Sequence, residues 1–198
     1  MFGGEGAGSD PNIFALLYRN LFGAKIKIVT GYPGTNDIQL ATERGEVDGL
    51  CGLSWSTLKG RYPHWLKDKK ANILVQAGIK KQPELADVPS ATELATRPDQ
   101  AQILKLILIG QAMARPFAAP PGIPPDRRAA LIAAFERTNA DPDFLAEAQR
   151  LDLEVNPVSA AKLDALLVEA YATPKDVVAK AAKATSNKPD ALPDYGEA

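Results

Sequence analysis

One turn constrains the fold of this chain more than any other stretch: the sequence Gly-Tyr-Pro-Gly-Thr at residues 31–35. It follows an alternating apolar run at 26–29 and precedes residues 36–41, which have the pattern of a helix that starts from an oxygen-bearing cap. The sequence therefore predicts a strand, a turn and a helix N-terminus. Such a junction leaves backbone N–H groups unpaired and points the positive end of the helix dipole away from the helix, so it favours an anion. Gly34 would let a ligand approach the backbone closely, and Thr35 adds a hydroxyl.

Two further junctions of the same kind are predicted. A strand-like run at 47–53 leads into Ser54 and Trp55, where another capped turn is expected to open at the same edge. Near the N-terminus, a glycine-rich loop that contains Gly8 runs into a helix for which Ser9 is a candidate N-cap. This loop is either a third anion-binding helix N-terminus or a flexible start, and the sequence favours neither.

The glycine-rich loop does not match the two common nucleotide-binding motifs. A phosphate-binding Walker loop requires a lysine where this chain has Gly8, and a dinucleotide fingerprint requires a strand before its glycines. Only Met1 and Phe2 precede the loop, so we expect no strand in front of it and no nucleotide site.

The rest of the chain is predicted to be mostly helical. A third strand is expected at 73–77, and Ser90 with Glu93 has the spacing of a capping box. A proline-rich segment at 115–125 is typical of an extended crossing between two parts of a fold. The remaining predicted elements are a buried helix that starts at Asp99, helices at 126–138, 142–151, 159–171 and 174–183, a short strand at 154–157, and a frayed tail from 186.

Composition narrows the possible functions. The 198 residues include 23 basic and 24 acidic side chains, and the net charge of −1 does not favour nucleic acid or an anionic membrane as a partner. With one cysteine and one histidine, an internal disulfide is impossible and a metal site built from these residue types is nearly excluded. No apolar run is long enough for a membrane span, and no signal peptide is visible.

A cysteine hydrolase is the enzymatic alternative. Cys51 is followed by a Gly-Leu-Ser-Trp sequence similar to that around a papain-type nucleophile, and His64 is the one histidine that could serve as its base. The spacing of the pair does not match that family, however, and Cys51 lies in an apolar run where a cysteine is usually a buried hydrophobe. We therefore expect no catalytic residues.

Several short motifs, taken in order, are similar to one family. The chain resembles the periplasmic solute-binding proteins of tripartite tricarboxylate transporters, the TctC or Bug family, over residues 6–183. The resemblance depends on Gly6, Gly8 and Ser9, on Tyr32, Gly34 and Thr35, on the stretch 40–49, on residues 85–90 with Glu93, and on the Arg-Pro-Phe segment at 115–124.

This resemblance implies an α/β fold and a binding function. Members of the family are two-lobed clamshells of the type II periplasmic-binding-protein kind, which close on a small organic carboxylate without a metal or another cofactor. The implied ligand contacts are Gly8, Ser9, Gly34 and Thr35, with Ser54 and Trp55 less secure. The implied parts are a second-lobe α/β ligand-binding domain at 1–108, a proline-rich return segment at 109–125, C-terminal helices of the first lobe at 126–185, and a tail at 186–198.

The resemblance also implies partners and a location. A family member works in the periplasm, where it delivers its ligand to membrane transporter subunits. This chain departs from the family because it shows neither an export signal nor the first part of the first lobe. By this resemblance it would be a truncated gene product, a product with a wrongly assigned start, or a fragment. The apolar faces of its C-terminal helices would then fold back, pair in a homodimer or stay exposed. A binding-incompetent relic or a self-associating module of the same fold is the alternative function.

Overall fold

A small parallel sheet organises the N-terminal half of the chain. The computed structural model describes residues 1–113, 115–151 and 153–188. Its sheet consists of β1 (Phe2–Gly3), β2 (Ile28–Val29) and β3 (Gly49–Leu50) in the order β2-β1-β3, and both pairs are parallel. Phe2 stands opposite Ile28 on one side and Gly49 on the other. The fold is therefore mixed α/β, as predicted.

Each strand is followed by a helix. Strand β1 leads into α1 (Asp10–Phe22), β2 into α2 (Thr35–Glu43), and β3 into α3 (Trp55–Arg61). Because β2 and β3 lie on opposite sides of β1, right-handed crossovers place α1 and α2 on opposite faces of the sheet. Helix α2 packs closely on β1, since an added Cβ at Gly3 would lie 2.3 Å from the Ile38 side chain.

A hydrophobic cluster lies on each face of the sheet. The α2 face buries Ile38, Ala41 and Val47. The α1 face buries a larger cluster to which α1 contributes Phe14 and Leu17. Its other main contributors come from α5 (Pro98–Ala112) and α9 (Lys175–Ala184), namely Ile103, Leu104, Leu108, Val177, Ala181 and Ala184.

The C-terminal helix α9 folds back onto the sheet region. Its last carbonyls accept hydrogen bonds from Asn20 of α1, whose Nδ2 lies 3.1 Å from the Ala184 oxygen and 2.8 Å from the Ser186 oxygen. Arg19 donates to the Asn187 side chain at 3.3 Å. Of the predicted tail 186–198, Ser186 and Asn187 therefore contact α1, and residues from 189 onwards lie outside the described residues.

The other helices have fewer tertiary contacts. They are α4 (Pro63–Lys67), α6 (Pro125–Ala140), α7 (Pro142–Arg150) and α8 (Ala160–Tyr171), with a 3₁₀ turn at Pro83–Leu85. Neither α6 nor α8 has a buried residue, and α7 has only Ala148. An ion pair between Arg128 and Asp164, 3.1 Å apart, joins α6 to α8. We call α6, α7 and α8 the α6–α8 layer.

Three predictions about strands are wrong. A strand does precede the glycine-rich loop: β1 is short, but its central position lets it pair on both sides, with Phe2 N donating to Lys27 O at 2.8 Å and Asp48 N to Met1 O at 2.7 Å. Residues 73–77 form only an isolated bridge, between Gln76 and Ser90.

Residues 154–157 form no strand either, because they lie along α3 and not along a sheet edge. The strand-like runs at 26–29 and 47–53 form strands of only two residues each. In every case, an apolar run has become a strand only where another strand lay beside it.

Candidate functional site

The candidate site is the carboxyl edge of the sheet, where three loops meet. Since β1, β2 and β3 are parallel, the loops that follow them leave from the same edge. In an open sheet with the order 2-1-3, the connections diverge on either side of β1, and ligands of doubly wound sheets bind at such a point. The predicted convergence of three helix N-termini is therefore present.

The first loop contains Gly8 and Ser9. Gly8 has a φ of 88°, which favours glycine, and Ser9 is the N-cap of α1. The Ser9 hydroxyl does not cap the helix but donates to Gly6 O at 2.9 Å. The first-turn N–H groups of α1 therefore receive no side-chain cap from Ser9, and the positive end of this 13-residue helix stays open.

The second loop contains Gly34 and Thr35. Gly34, and not Thr35, is the N-cap of α2, so the expectation that an oxygen-bearing side chain caps this helix is wrong. Thr35 Oγ1 instead donates to the Glu5 carboxylate, with 2.6 Å between the oxygens. This bond joins the first two loops, and it brings a carboxylate to the start of α2.

Sequence analysis missed Glu5. It is the one charged residue in the glycine-rich loop, and that isolation is the signal that could have drawn attention to it. Its side chain is half-buried between two helix N-termini. Because helix N-termini attract negative charge, a carboxylate here needs no cationic partner to be stable.

Asn12 is the second residue that sequence analysis missed. It is only 7% exposed, and its Oδ1 has no hydrogen-bond partner among the described residues. An added Cβ at Gly4 would lie 2.1 Å from this oxygen, so Gly4 must remain a glycine for Asn12 to pack here. The signal was an amide side chain directly before the apolar run at 13–17.

The third loop contributes less than predicted. Gly52 approaches the start of α1 so closely that an added Cβ would lie 2.7 Å from the Asp10 carbonyl carbon. Ser54 caps α3 by accepting from Thr57 N at 3.3 Å, as expected for a capped turn. Trp55, however, donates to Glu84, so its indole is held against the Pro83–Leu85 turn.

Glu84 also pairs with Lys59, whose Nζ lies 2.8 Å from the carboxylate. The hydrogen bonds from Lys59 and then from Trp55 lower the pKa of Glu84. The hydrogen bond between Thr35 and Glu5 therefore joins the loop that contains Gly8 and Ser9 to the loop that contains Gly34, whereas Trp55 belongs to a neighbouring polar cluster.

Cys51 and His64 are not brought together. Cys51 packs against the α1 cluster, and burial raises the pKa of its thiol to about 12. The His64 Nε2 lies 3.1 Å from Glu43 Oε1, beside Trp65, which donates to the same oxygen at 2.6 Å. Both residues lie in the described part of the chain, and no hydrogen bond joins them. This geometry does not support a cysteine nucleophile.

Two open grooves lie away from the three loops. One of about 560 Å³ separates α3 from α7 and the segment after it, and Ser56, Lys59, Leu145 and Val155 are among its lining residues. The other, of about 480 Å³, lies between α6 and α7. Neither is lined by Gly8, Ser9, Gly34 or Thr35.

Comparison with protein-family models, with curated proteins and with solved structures found no match to this chain. Within residues 1–113, 115–151 and 153–188, no three acidic, histidine or cysteine side chains are grouped so that they could hold a metal ion. No helix in the same ranges combines the length and the apolar character that crossing a membrane requires.

Proposed function

We propose that this protein is a solute-binding component of a tripartite tricarboxylate-type transporter, and that it binds a small organic carboxylate at the carboxyl edge of the sheet. The binding groups would be the N-termini of α1 and α2, with the hydroxyls of Ser9 and Thr35 and the open backbone at Gly8 and Gly34. Ser54 and Trp55 would border the site. Two helix N-termini and a hydroxyl form a suitable anion site without a metal or another cofactor.

The contact between Thr35 and Glu5 is the observation that carries the proposal. A carboxylate oxygen already lies 2.6 Å from the Thr35 hydroxyl, at the start of α2 and within the loop before α1. This distance is that of a charge-assisted hydrogen bond. The edge is thus compatible with a carboxylate, and an external one would take the place of Glu5 while that side chain turns towards solvent.

The balance of charges predicts modest affinity. Each helix N-terminus favours an anion by about 0.3–1 kcal/mol when exposed, and a hydrogen bond to a charged group adds about 1.5–3 kcal/mol. Glu5, Asp10 and Asp37 lie near the same edge and oppose a second negative charge. A monocarboxylate or an amino acid therefore suits this edge better than a tricarboxylate.

The transport role follows from the resemblance described above. In that role the protein works in the periplasm, closes on its ligand and presents the closed form to membrane transporter subunits. Closure would need a second wall opposite the three loops, and the groove between α3 and α7 lies away from those loops.

Calorimetric titration with acetate, lactate, succinate, citrate and glutamate tests the proposal. We expect at least one compound to bind, and Thr35→Val to weaken its binding about tenfold, because a hydrogen bond to a charged group is lost. Thr42→Val is the matched control, since its hydroxyl donates to Ile38 O at 2.8 Å on the same helix. If no compound binds to the cooperatively folded protein, or if both variants bind equally well, the proposal is wrong.

Glu5→Gln distinguishes displacement of Glu5 from direct use of it. If the ligand carboxylate replaces Glu5 at Thr35, removing the competing charge should tighten binding several-fold. Weaker binding in Glu5→Gln would instead identify Glu5 as a contact for a cationic group of the ligand.

A further inference from the structure

The α6–α8 layer leaves an unusual amount of apolar surface uncovered. Six of the large exposed hydrophobic side chains belong to its helices, and three more flank them: Leu131, Phe144, Leu145, Leu167, Val168 and Tyr171, with Phe117, Leu151 and Leu153 alongside. Neither α6, with 16 residues, nor α8, with 12, buries a single residue. Helices of this length gain most of their stability from a packed apolar face, and in these two that face is only partly buried.

The exposed residues of α8 share one face. Leu167, Val168 and Tyr171 follow the helical spacings of three and four residues, and Val168 and Tyr171 are 71% and 88% exposed. Monomeric proteins rarely leave such a cluster uncovered, so it marks an interaction surface. Aromatic side chains that are largely exposed before association, such as Tyr171 and Phe117, are typical anchors of protein interfaces.

The total accessible surface of the chain is large for its mass. The chain exposes 13277 Å², whereas a folded monomer of 21.1 kDa is expected to expose about 9,000 Å². The residues outside the described ranges account for at most about 1,900 Å² of the difference, even if fully exposed. About 2,400 Å² of excess remains, which is in the range of the area that each subunit buries in an extensive dimer interface.

We propose that the α6–α8 layer is the interface of a homodimer, and that it packs against the same layer of a second copy. A twofold interface needs only one self-complementary patch, and this patch carries both basic and acidic residues. The net charge of the whole chain is −1, so two copies repel one another weakly. The carboxyl edge of the sheet lies outside this layer and is not needed for the contact.

Sedimentation velocity from 1 to 100 μM tests the proposal. We expect the natural chain to form a dimer whose fraction rises with concentration, and the double variant Val168→Lys, Tyr171→Lys to raise the dissociation constant at least tenfold. Because both side chains are exposed, the variant should keep its fold, which circular dichroism checks. The matched control is Leu74→Lys with Ile79→Lys, which changes two residues of 69% and 51% exposure outside the layer.

The control variant should dimerise like the natural chain. A monomer at every concentration overturns the proposal, and so does a dimer that resists the Val168 and Tyr171 changes. These results do not depend on ligand, so they are separate from the failure or success of carboxylate binding.

Discussion

Helices α1 and α8 are similar as sequences and opposite in their surroundings. Both begin after a serine N-cap, and they have 13 and 12 residues. Yet α1 buries seven residues between the sheet, α5 and α9, whereas α8 buries none. Caps and periodicity therefore specify where a helix forms, whereas its burial depends on which other elements pack against its apolar face.

The same contrast holds between the sheet region and the α6–α8 layer. A fully buried leucine contributes about 1.5–3 kcal/mol, so the α1 cluster supplies most of the stability of the isolated chain. The layer relies on sparse contacts such as Arg128 with Asp164, an exposed pair of the kind worth about 1 kcal/mol or less. Four predictions test this difference.

Thiol labelling should show the largest effect. Cys51 is the one cysteine, and its pKa of about 12 leaves little thiolate at pH 8. We expect native labelling to be about three orders of magnitude slower than in the unfolded chain, in line with its lower thiolate fraction. The control variant Cys51→Ser, Leu74→Cys should label rapidly, because Leu74 is 69% exposed and lies outside the α6–α8 layer. Fast labelling of native Cys51 would contradict its packing against the α1 cluster and would support the hydrolase alternative.

Truncation of a buried leucine should show the next largest effect. Leu104→Ala removes a side chain with no exposed surface and should lower the free energy of unfolding by about 3 kcal/mol in urea denaturation. Leu131→Ala, at a residue 58% exposed in α6, should change it by no more than about 0.5 kcal/mol at low protein concentration. Equal losses in the two variants would mean that the α6–α8 layer is packed as tightly as the sheet region.

Glycine substitutions sharpen the comparison at the site. Gly4→Ala places a Cβ 2.1 Å from Asn12 Oδ1 and should destabilise the chain by about 1–3 kcal/mol, since this region cannot relax freely. Gly60→Ala in α3 meets no atom within 4 Å and should stabilise the helix by about 0.5–1 kcal/mol. Thermal melting of both variants measures the difference, and a neutral Gly4→Ala would contradict the tight contact with α1.

The smallest effect is expected at the link between α1 and α9. Asn20→Ala leaves the Ala184 and Ser186 carbonyls without their donor and should cost about 1 kcal/mol. Amide exchange should speed up in α9 more than in α1. The control Asn36→Ala removes an exposed partner of the Tyr62 hydroxyl and should leave α9 protection unchanged. Unchanged exchange in Asn20→Ala would show that apolar packing alone holds α9.

Much of the helical framework was predictable, because caps and stops are local signals. Ser9, Gly23, Ser54 and Ser159 mark helix ends in the structure as they do in the sequence. Strand pairing was less predictable, since it depends on distant partners. Strand β1 has only two residues and no periodicity to detect, yet it lies at the centre of the sheet.

The position of the candidate site was predictable, but not all of its residues were. Parallel strands and helix starts placed Gly8, Ser9, Gly34 and Thr35 at one edge, as the structure does. Glu5 was missed because its role depends on two loops that come within hydrogen-bond distance of each other. Asn12 was missed because its packing depends on the absence of a side chain at Gly4. The packing of the C-terminal helices was not predictable either, since an apolar stripe predicts that a helix has a packing partner but does not identify that partner.

The two tryptophans are intrinsic fluorescent probes of two different regions of the protein. Trp65 is 5% exposed and bonded to Glu43 on α2, so its emission reports on the sheet region. Trp55 stands at the start of α3, beside the groove that separates α3 from α7, with Lys59 Nζ 5.5 Å from its ring centre. In a Trp65→Phe background, fluorescence would therefore follow the seam between the sheet region and the α6–α8 layer without any added label.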